Sequence, residues 1–394
     1  MSARIIGVVS TLICMTAAAG VQHAPSASSA ATFTEQPGWG SWWDESWICR
    51  ARVFIDNHLG DRLLTEFPIP IYVPYRDGMR PDFADIRFTD MEGRKALPYW
   101  LEEVVPSSHA TAWVRVPEIP AATNVYLYFG NPDASSESDT RGYAELWEDF
   151  AADPLRGSGW TVYRHSGQGG LEGYWDPQGG HLYLTRPERD LGAAIFTDID
   201  LRTLDGWLLT FDYLVGGGTG AEGFCAMFYK DEAPYSSGRP SSGNGLGFTE
   251  AEGGAISGYG VEFDARGGEG DPAMQHVALI KDRADNHLVT VGEGRVADGL
   301  WHNVELLHYR NQITLSLDQG VLFSHNLTSS GGDRDYGGLG FSGATGEHTN
   351  DHLIDNVTLR KWTEPMPSSL VGDTEGLYQT VVETSFGEIK ALYR

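Results

Sequence analysis

The sequence predicts an all-β protein in which an antiparallel β-sandwich is followed by a larger two-sheet jelly roll. Two observations carry that expectation. No stretch sustains the apolar period of a helix, whereas short runs of alternating apolar and polar residues recur along the chain. The 49 Gly and 19 Pro favour many turns over long helices. With 41% hydrophobic residues the chain can fill large cores, and its 394 residues suggest roughly two to three domains once a leader is removed. The 54 Asp+Glu against 28 Lys+Arg give a formal charge of −26, which excludes a nucleic-acid partner because phosphate binding requires a concentrated basic surface.

The first element, residues 1–30, has the order of a secretory signal peptide. Arg4 precedes an apolar run from Ile5 to Val21, and small and polar residues follow from Ala24 to Ala30. The run is short for a bilayer span of about 20 residues. Export to a secreted or cell-surface location is therefore expected, with no transmembrane segment in the mature chain; a retained N-terminal anchor is the alternative. Cys14 follows Leu12-Ile13 rather than a small residue, which argues against lipidation. Cys49 and Cys225 then fall in different domains, so a disulfide scaffold is excluded.

Residues 42–139 read as an antiparallel sandwich of unknown role. Strands are expected at Arg52–Ile55, Ile69–Val73, Asp85–Phe88, Ala112–Val116 and Asn124–Phe129, with turns such as Asp90-Met91-Glu92-Gly93 between them. Trp42-Trp43-Asp44-Glu45-Ser46-Trp47, Ile86-Arg87-Phe88-Thr89-Asp90 and Tyr126-Leu127-Tyr128-Phe129-Gly130-Asn131-Pro132 resemble a domain of unknown function. That domain recurs near the N-terminus of exported bacterial and archaeal multidomain proteins. The resemblance implies an extracellular accessory module and supplies no chemistry. Its Trp cluster can stack on a sugar or close a hydrophobic core.

The stretch Pro132–Gly142 is rich in Ser, Asp and Gly and, with residues 140–146, reads as a linker. Residues 147–362 form the second β region, with strands expected at Trp207–Phe211, Phe224–Tyr229, Tyr259–Asp264, Val277–Ile280, Val304–Tyr309, Ile313–Leu317 and Leu353–Leu359. So long a region without a helical run fits one jelly roll better than two small sandwiches. Residues 363–394 read as a flexible tail. Ser385 and Glu388 form a capping box ahead of a short terminal helix, Ser385–Arg394.

The chemistry concentrates in one segment. If Val261–Asp264 is a strand, alternation turns Glu262 and Asp264 to the same face. Gly267, Gly268 and Gly270 let the chain turn back, bringing Asp271 and His276 toward them. Clustered carboxylates repel unless a cation compensates. A hard ion such as Ca²⁺ suits oxygen ligands, and carboxylates with one imidazole suit Mn²⁺ or a similar ion. A solvated acidic edge beside an unconnected His is the alternative.

This segment resembles the metal-binding strand and loop of the legume-type (L-type) lectins, of the concanavalin A-like fold. Gly220-Ala221-Glu222-Gly223-Phe224, Gly243-Asn244-Gly245-Leu246-Gly247-Phe248 and Gly340–Gly346 leading to His352 extend the resemblance over most of residues 147–362. It implies that Glu262, Asp264, Asp271 and His276 hold a transition metal and calcium pair, with Asp264 and Asp271 bridging both ions. It also implies a cis peptide before Glu222, which stands where the family carries a sugar-binding Asp, and a variable fourth loop at Thr345–Asn350. Gly245, Gly346, Glu347, His348 and Asn350 would join Glu222 at the sugar rim.

The departures bear on function. Where the family presents an aromatic ring and an Asn in the metal loop, this chain has Arg266 and Gly268. Glu269 and the Arg266 carbonyl would replace the missing calcium ligands. Retaining glycoside hydrolases on the same fold carry Glu-x-Asp-x-x-Glu, whereas Glu262 and Asp264 are separated from Glu269 by a longer, glycine-broken gap. The expected function is therefore metal-dependent binding of an extracellular glycan or polysaccharide, without catalysis. The alternatives are a structural or adhesion module with a decayed sugar site, and a glycoside hydrolase.

Overall fold

In the computed structural model the described residues are 42–376, apart from 61, 155–158, 166–171, 198, 231–234, 236–237, 252–253, 255, 268–274 and 331–335, together with 382–383 and 389–390. The leader expected at residues 1–30 lies outside them. The chain divides into two compact units, one of residues 144–365 and the other of the segments on either side of it. Among the described residues, no helix is long and apolar enough to cross a membrane.

The first unit begins with β1 (Cys49–Asp56), β2 (Leu64–Pro74), β3 (Arg87–Thr89), β4 (Ala96–Leu97), β5 (Tyr99–Val105), β6 (His109–Ile119) and β7 (Ala122–Phe129). β2, β6 and β5 form one antiparallel sheet, and β1, β7, β3 and β4 run in that order in another. Val53, Ile55, Ile69, Ile71, Val114, Leu127 and their alternating neighbours fill the core between them. Pro68 and Pro70 fit within β2 because it is an edge strand, where a missing N–H costs no ladder bond on the open side.

The Trp-rich segment closes a small second core. Trp42 Nε1 donates to the carbonyls of Asp44 (3.0 Å) and Trp47 (2.8 Å), and Trp47 Nε1 donates to Asp85 O at 2.6 Å. The Arg50 guanidinium lies 4.8 Å from the Trp42 ring centroid and 4.2 Å from that of Tyr126. Each such contact stabilises by about 0.5–2 kcal/mol. These rings pack on one another and on arginine, which is the core-closing reading of the cluster.

The expected linker is folded structure instead. Leu101 N–H donates to Ser138 Oγ at 2.8 Å, and Thr140–Tyr143 is a helical turn, α1, whose Tyr143 ring stacks on Trp100 at 5.0 Å. Polar composition suggested a free segment; the short side chains act instead as local caps and acceptors for neighbouring backbone.

The second unit contains β8 (Leu146–Glu148), β9 (Trp160–Arg164), β10 (Tyr174–Asp176), β11 (His181–Thr185), β12 (Gly192–Thr197), β13 (Gly206–Gly216), β14 (Gly223–Tyr229), β15 (Gly258–Asp264), β16 (His276–Lys281), β17 (Arg283–Gly292), β18 (His302–Tyr309), β19 (Gln312–Leu317), β20 (Gly320–Asn326), β21 (Gly338–Ala344) and β22 (Asp351–Lys361). They form the expected antiparallel jelly roll. One sheet runs β10-β11-β22-β13-β18-β19-β20 with β8 added on β22, and the other runs β17-β16-β15-β14-β21-β12-β9. Phe211, Phe224, Phe263 and Phe341 sit in the core, with Phe224 and Phe263 stacked at 4.6 Å. Tyr235, Leu246, Phe248 and Ile256 cover the other face of the seven-stranded sheet, packing with Cys225, Met227, Ala278 and Ile280. Gly260 is small because of that cover: a Cβ there would lie 2.9 Å from the Phe248 ring.

The tail departs from expectation as well. Ser368–Gly376 forms β23, which pairs antiparallel with β1 along its length. An open β1 edge would leave a row of backbone donors and acceptors unpaired, and β23 satisfies them while Val371 packs on the core. Val382–Glu383 (β24) pairs with Ile389–Lys390 (β25), so those last two residues are strand rather than part of a terminal helix. A helix that short is marginal in isolation. The other residues of Ser385–Arg394 lie outside the described ones.

Candidate functional site

Strand pairing brings the predicted segments to one end of the second unit. β14 pairs with β15 on one side and β21 on the other, with Gly223 opposite both Asp264 and Ala344. Glu222, Ala265 and Thr345 therefore leave the sheet together. Ala265 N–H donates to Glu222 O at 2.7 Å, and Gly243 N–H donates to Thr345 O at 3.0 Å, which adds the fourth segment.

Glu222 sits at the centre of this group. It is 7% exposed, and a Cβ on Gly346 would stand 2.8 Å from its Oε1 and 3.3 Å from Gly243 Cα. Only a glycine at 346 lets both approach so closely. Gly247, at φ 67°, adopts a left-handed conformation, and a side chain there would also meet Ala193 O at 2.7 Å. Glu347 and Asn244 are exposed, and His348 and Gly245 are half-buried around this floor.

Two predicted features are arranged differently. Asn350 is buried, and its Nδ2 donates to Ala221 O at 3.0 Å, so the amide braces the loop instead of reaching the rim. The Ala221–Glu222 bond is trans, Glu364–Pro365 being the only cis peptide among the described residues. Asn350 on the Ala221 carbonyl and Ala265 on the Glu222 carbonyl hold the trans arrangement from both sides. Behind the loop, Thr185 Oγ1 lies 2.6 Å from His352 Nδ1, and complete burial lowers that imidazole to about 3, which keeps it neutral.

The metal-ligating candidates lie on the neighbouring strands. Glu262 and Asp264 share the β15 face opposite Phe263, as alternation requires, and Asp264 pairs with His276 of β16. His276 Nε2 is 3.2 Å from Glu262 Oε1, with neither side chain appreciably exposed. A residue the sequence reading did not single out completes the cluster: His287 of β17, whose Nε2 is 2.7 Å from the same oxygen. The three ligand atoms lie within 4.8 Å of one another. Two imidazole nitrogens and a carboxylate oxygen on three adjacent strands fit a transition-metal ion.

Asp264 is not in that cluster; its Oδ1 accepts Arg266 N–H at 2.6 Å and shapes the start of the loop. Arg266 is exposed. Asp271 and Glu269, on which the calcium position depends, lie outside the described residues. Cys225, directly across from Glu262, is fully buried, and burial first, then the nearby Glu262 and Asp264 charges, push its thiol well above the ordinary range. It is an inert core thiol.

His287 was hidden by the register. Lys281 pairs with Arg283, so a regular hairpin would set Ala284 opposite Ile280, but irregularities on either side of Ile280 bring His287 there. Alternation could have shown that His287 is on a strand. It could not have shown which β16 residue it faces.

Residues 82–163 match a family described as a domain of unknown function (DUF2341). No curated protein matches the chain in sequence. Among solved structures, the chain is similar to a seed lectin of Lotus tetragonolobus, with 15% identity over 58% of this chain and 100% of that one and a TM-score of 0.44. It is similar to a lectin from Bauhinia forficata in complex with GalNAc, with 16% identity over 58% of this chain and 99% of that one and a TM-score of 0.43. The exoplasmic/lumenal domain of VIP36 in its Ca²⁺/Man-bound form shows 14% identity over 53% of this chain and 88% of that one, with a TM-score of 0.39.

Proposed function

We propose that this is an exported, non-catalytic carbohydrate-binding protein whose site is the loop end of the second unit. One observation carries the reading: the Glu222 carboxyl, nearly buried, lies against the glycine floor of Gly346 and Gly243 beside the strand that bears the metal-ligating cluster. A carboxylate accepts hydrogen bonds from vicinal hydroxyls, and a floor without side chains leaves room for a ring. Glu347, His348 and the Gly245 turn supply a polar rim. Ca²⁺ and a transition-metal ion would order the strands and loops, and the partner would be an extracellular glycan.

The burial of Glu262 favours binding over hydrolysis. A catalytic acid has to reach a glycosidic oxygen, whereas Glu262 is 1% exposed and in contact with His276 and His287. The inward turn of Asn350 favours a second reading, a surface-assembly module whose sugar site has decayed.

A glycan array on the protein loaded with Ca²⁺ and a transition metal, repeated in EDTA and with Glu262→Gln and Glu222→Gln, separates these. Binding that needs metal and both carboxylates supports the lectin reading. A folded, metal-loaded protein that retains no glycan refutes it in favour of the assembly module, and release of reducing sugar from polysaccharide refutes it in favour of a hydrolase.

A further inference from the structure

We propose that His287 is a direct metal ligand, so that Glu262, His276 and His287 form a two-imidazole, one-carboxylate centre that takes Zn²⁺ or a similar borderline ion in preference to Mn²⁺ or Ca²⁺. The inference rests on the proposed function only in placing an ion at this strand, and it requires no sugar.

Three observations converge on it. The residues come from adjacent strands β15, β16 and β17, and both imidazoles present Nε2 to the same Glu262 oxygen, at 3.2 Å and 2.7 Å. Their rings are 5.7 Å apart and inclined at 78°, so they meet at a common point instead of stacking. The three side chains are 2%, 0% and 15% exposed, a setting in which a lone carboxylate requires a compensating positive charge.

A protonated imidazole or a bound dication supplies that charge. Ions of this class hold nitrogen and oxygen at about 2.0–2.2 Å, which sets neighbouring ligand atoms roughly 3.3–3.6 Å apart in a tetrahedral arrangement. The two imidazole-to-carboxylate spacings, 3.2 Å and 2.7 Å, lie within an ångström of that separation, and all three ligand atoms lie within 4.8 Å of one another. Donor type then decides selectivity. Imidazole nitrogens suit Zn²⁺, Cu²⁺ and Ni²⁺, whereas Mn²⁺ and Ca²⁺ are better served by carboxylates and carbonyls. Asp264, the oxygen donor that the sequence resemblance brings to the ion, accepts the Arg266 N–H through Oδ1 and stands outside the three-residue cluster.

The test uses the full chain, stripped with EDTA and dialysed, in the absence of any glycan. Titration calorimetry with Zn²⁺ and with Mn²⁺ should give one Zn²⁺ per chain at the higher affinity. His287→Ala should weaken Zn²⁺ by more than the 10- to 100-fold typical of losing a mere outer partner. Loaded with Cu²⁺ as a paramagnetic probe, the unaltered protein should show electron-paramagnetic hyperfine coupling to two nitrogens, and His287→Ala to one.

Undiminished Zn²⁺ affinity in His287→Ala, one coupled nitrogen in the unaltered protein, tighter Mn²⁺ than Zn²⁺, or no binding at all would each overturn the proposal. His287 lies on the edge strand of its sheet, where truncation is tolerated best. Should the variant nevertheless unfold, the nitrogen count on the unaltered protein decides. A protein that binds Zn²⁺ through His287 yet retains no glycan would remove the lectin reading and leave this one standing.

Discussion

Gly346→Ala probes the proposed sugar site without altering any charged group. The new Cβ would stand 2.8 Å from Glu222 Oε1, well inside the 3.4–4 Å of ordinary contact. The backbone at 346 is not left-handed, so alanine fits its conformation; the nearest obstructing atom is the end of a flexible side chain, and the Gly243 backbone, 3.3 Å away, has to give by a few tenths of an ångström. The carboxylate should therefore swing aside, at a cost to the fold below about 1 kcal/mol, or a fall in Tm of no more than about 2–4 °C for a unit of this size. Sugar binding should suffer far more. A hydrogen bond to a charged group contributes about 1.5–3 kcal/mol, and each 1.4 kcal/mol is tenfold, so affinity should fall roughly 10- to 150-fold. Thermal unfolding checks the first figure; calorimetric titration with the sugar identified on the array checks the second. Full affinity in a folded Gly346→Ala protein would refute the placement of Glu222 at the ligand. A Tm loss several times larger would instead refute the claim that its carboxylate can yield.

Other changes test the scaffold. Phe263→Ala removes a ring stacked on Phe224 at 4.6 Å and should cost about 3–5 kcal/mol, read as a fall in the denaturant midpoint of the second unit. His302 lies 3.0 Å from Asp298 and 2.8 Å from Asp318; burial opposes its charge, but the hydrogen bonds to these carboxylates outweigh burial and raise its pKa. Its contribution to stability is therefore full below the unfolded value of about 6.5 and lost as pH rises through the higher folded value. His302→Gln should flatten that slope in a stability–pH profile, and an unchanged slope would remove His302 as its source. Deleting residues 368–394 should destabilise the first unit, because it strips β23 from β1 and Glu375 from the buried Arg50 guanidinium at 3.1 Å. Losing a hydrogen bond to that charge alone costs about 1.5–3 kcal/mol. Unchanged unfolding of the truncated chain would show that β23 is dispensable.

The sequence was most legible where local pattern and tertiary role coincide. Val261–Asp264 alternates, lies in the middle of a sheet and places Glu262 and Asp264 on one face as the two-residue period requires. It was least legible where a residue's role depends on a partner distant in the chain. Ser368–Gly376 follows two prolines and carries few apolar residues, so nothing local marks it as the strand that completes the β1 edge. Asn350 has the composition of a rim residue, and only the nearby Ala221 carbonyl turns it inward. His287 was obscured by two register irregularities that no alternation count anticipates. In each case the missing information was pairing, set by which backbone groups need partners once the cores have formed.

The same pairing would couple an ion held by the proposed cluster to a ligand at the Glu222 loops. The β14–β15 ladder ends at Gly223 and Asp264, and its next residues, Glu222 and Ala265, remain joined by a 2.7 Å hydrogen bond. The main chain of the candidate sugar-binding carboxylate is thus fastened to the strand that carries Glu262. An ion held by Glu262, His276 and His287 would fix three adjacent strands and, through that ladder, the backbone of Glu222. It would act by holding the loop in place, since Glu262 and His276 are buried and His287 is only 15% exposed. Metal choice and sugar choice should then be separable: exchanging Zn²⁺ for another ion that the site accepts would change how firmly the loops are held, while hydroxyl recognition stays with Glu222 and the 346–348 rim.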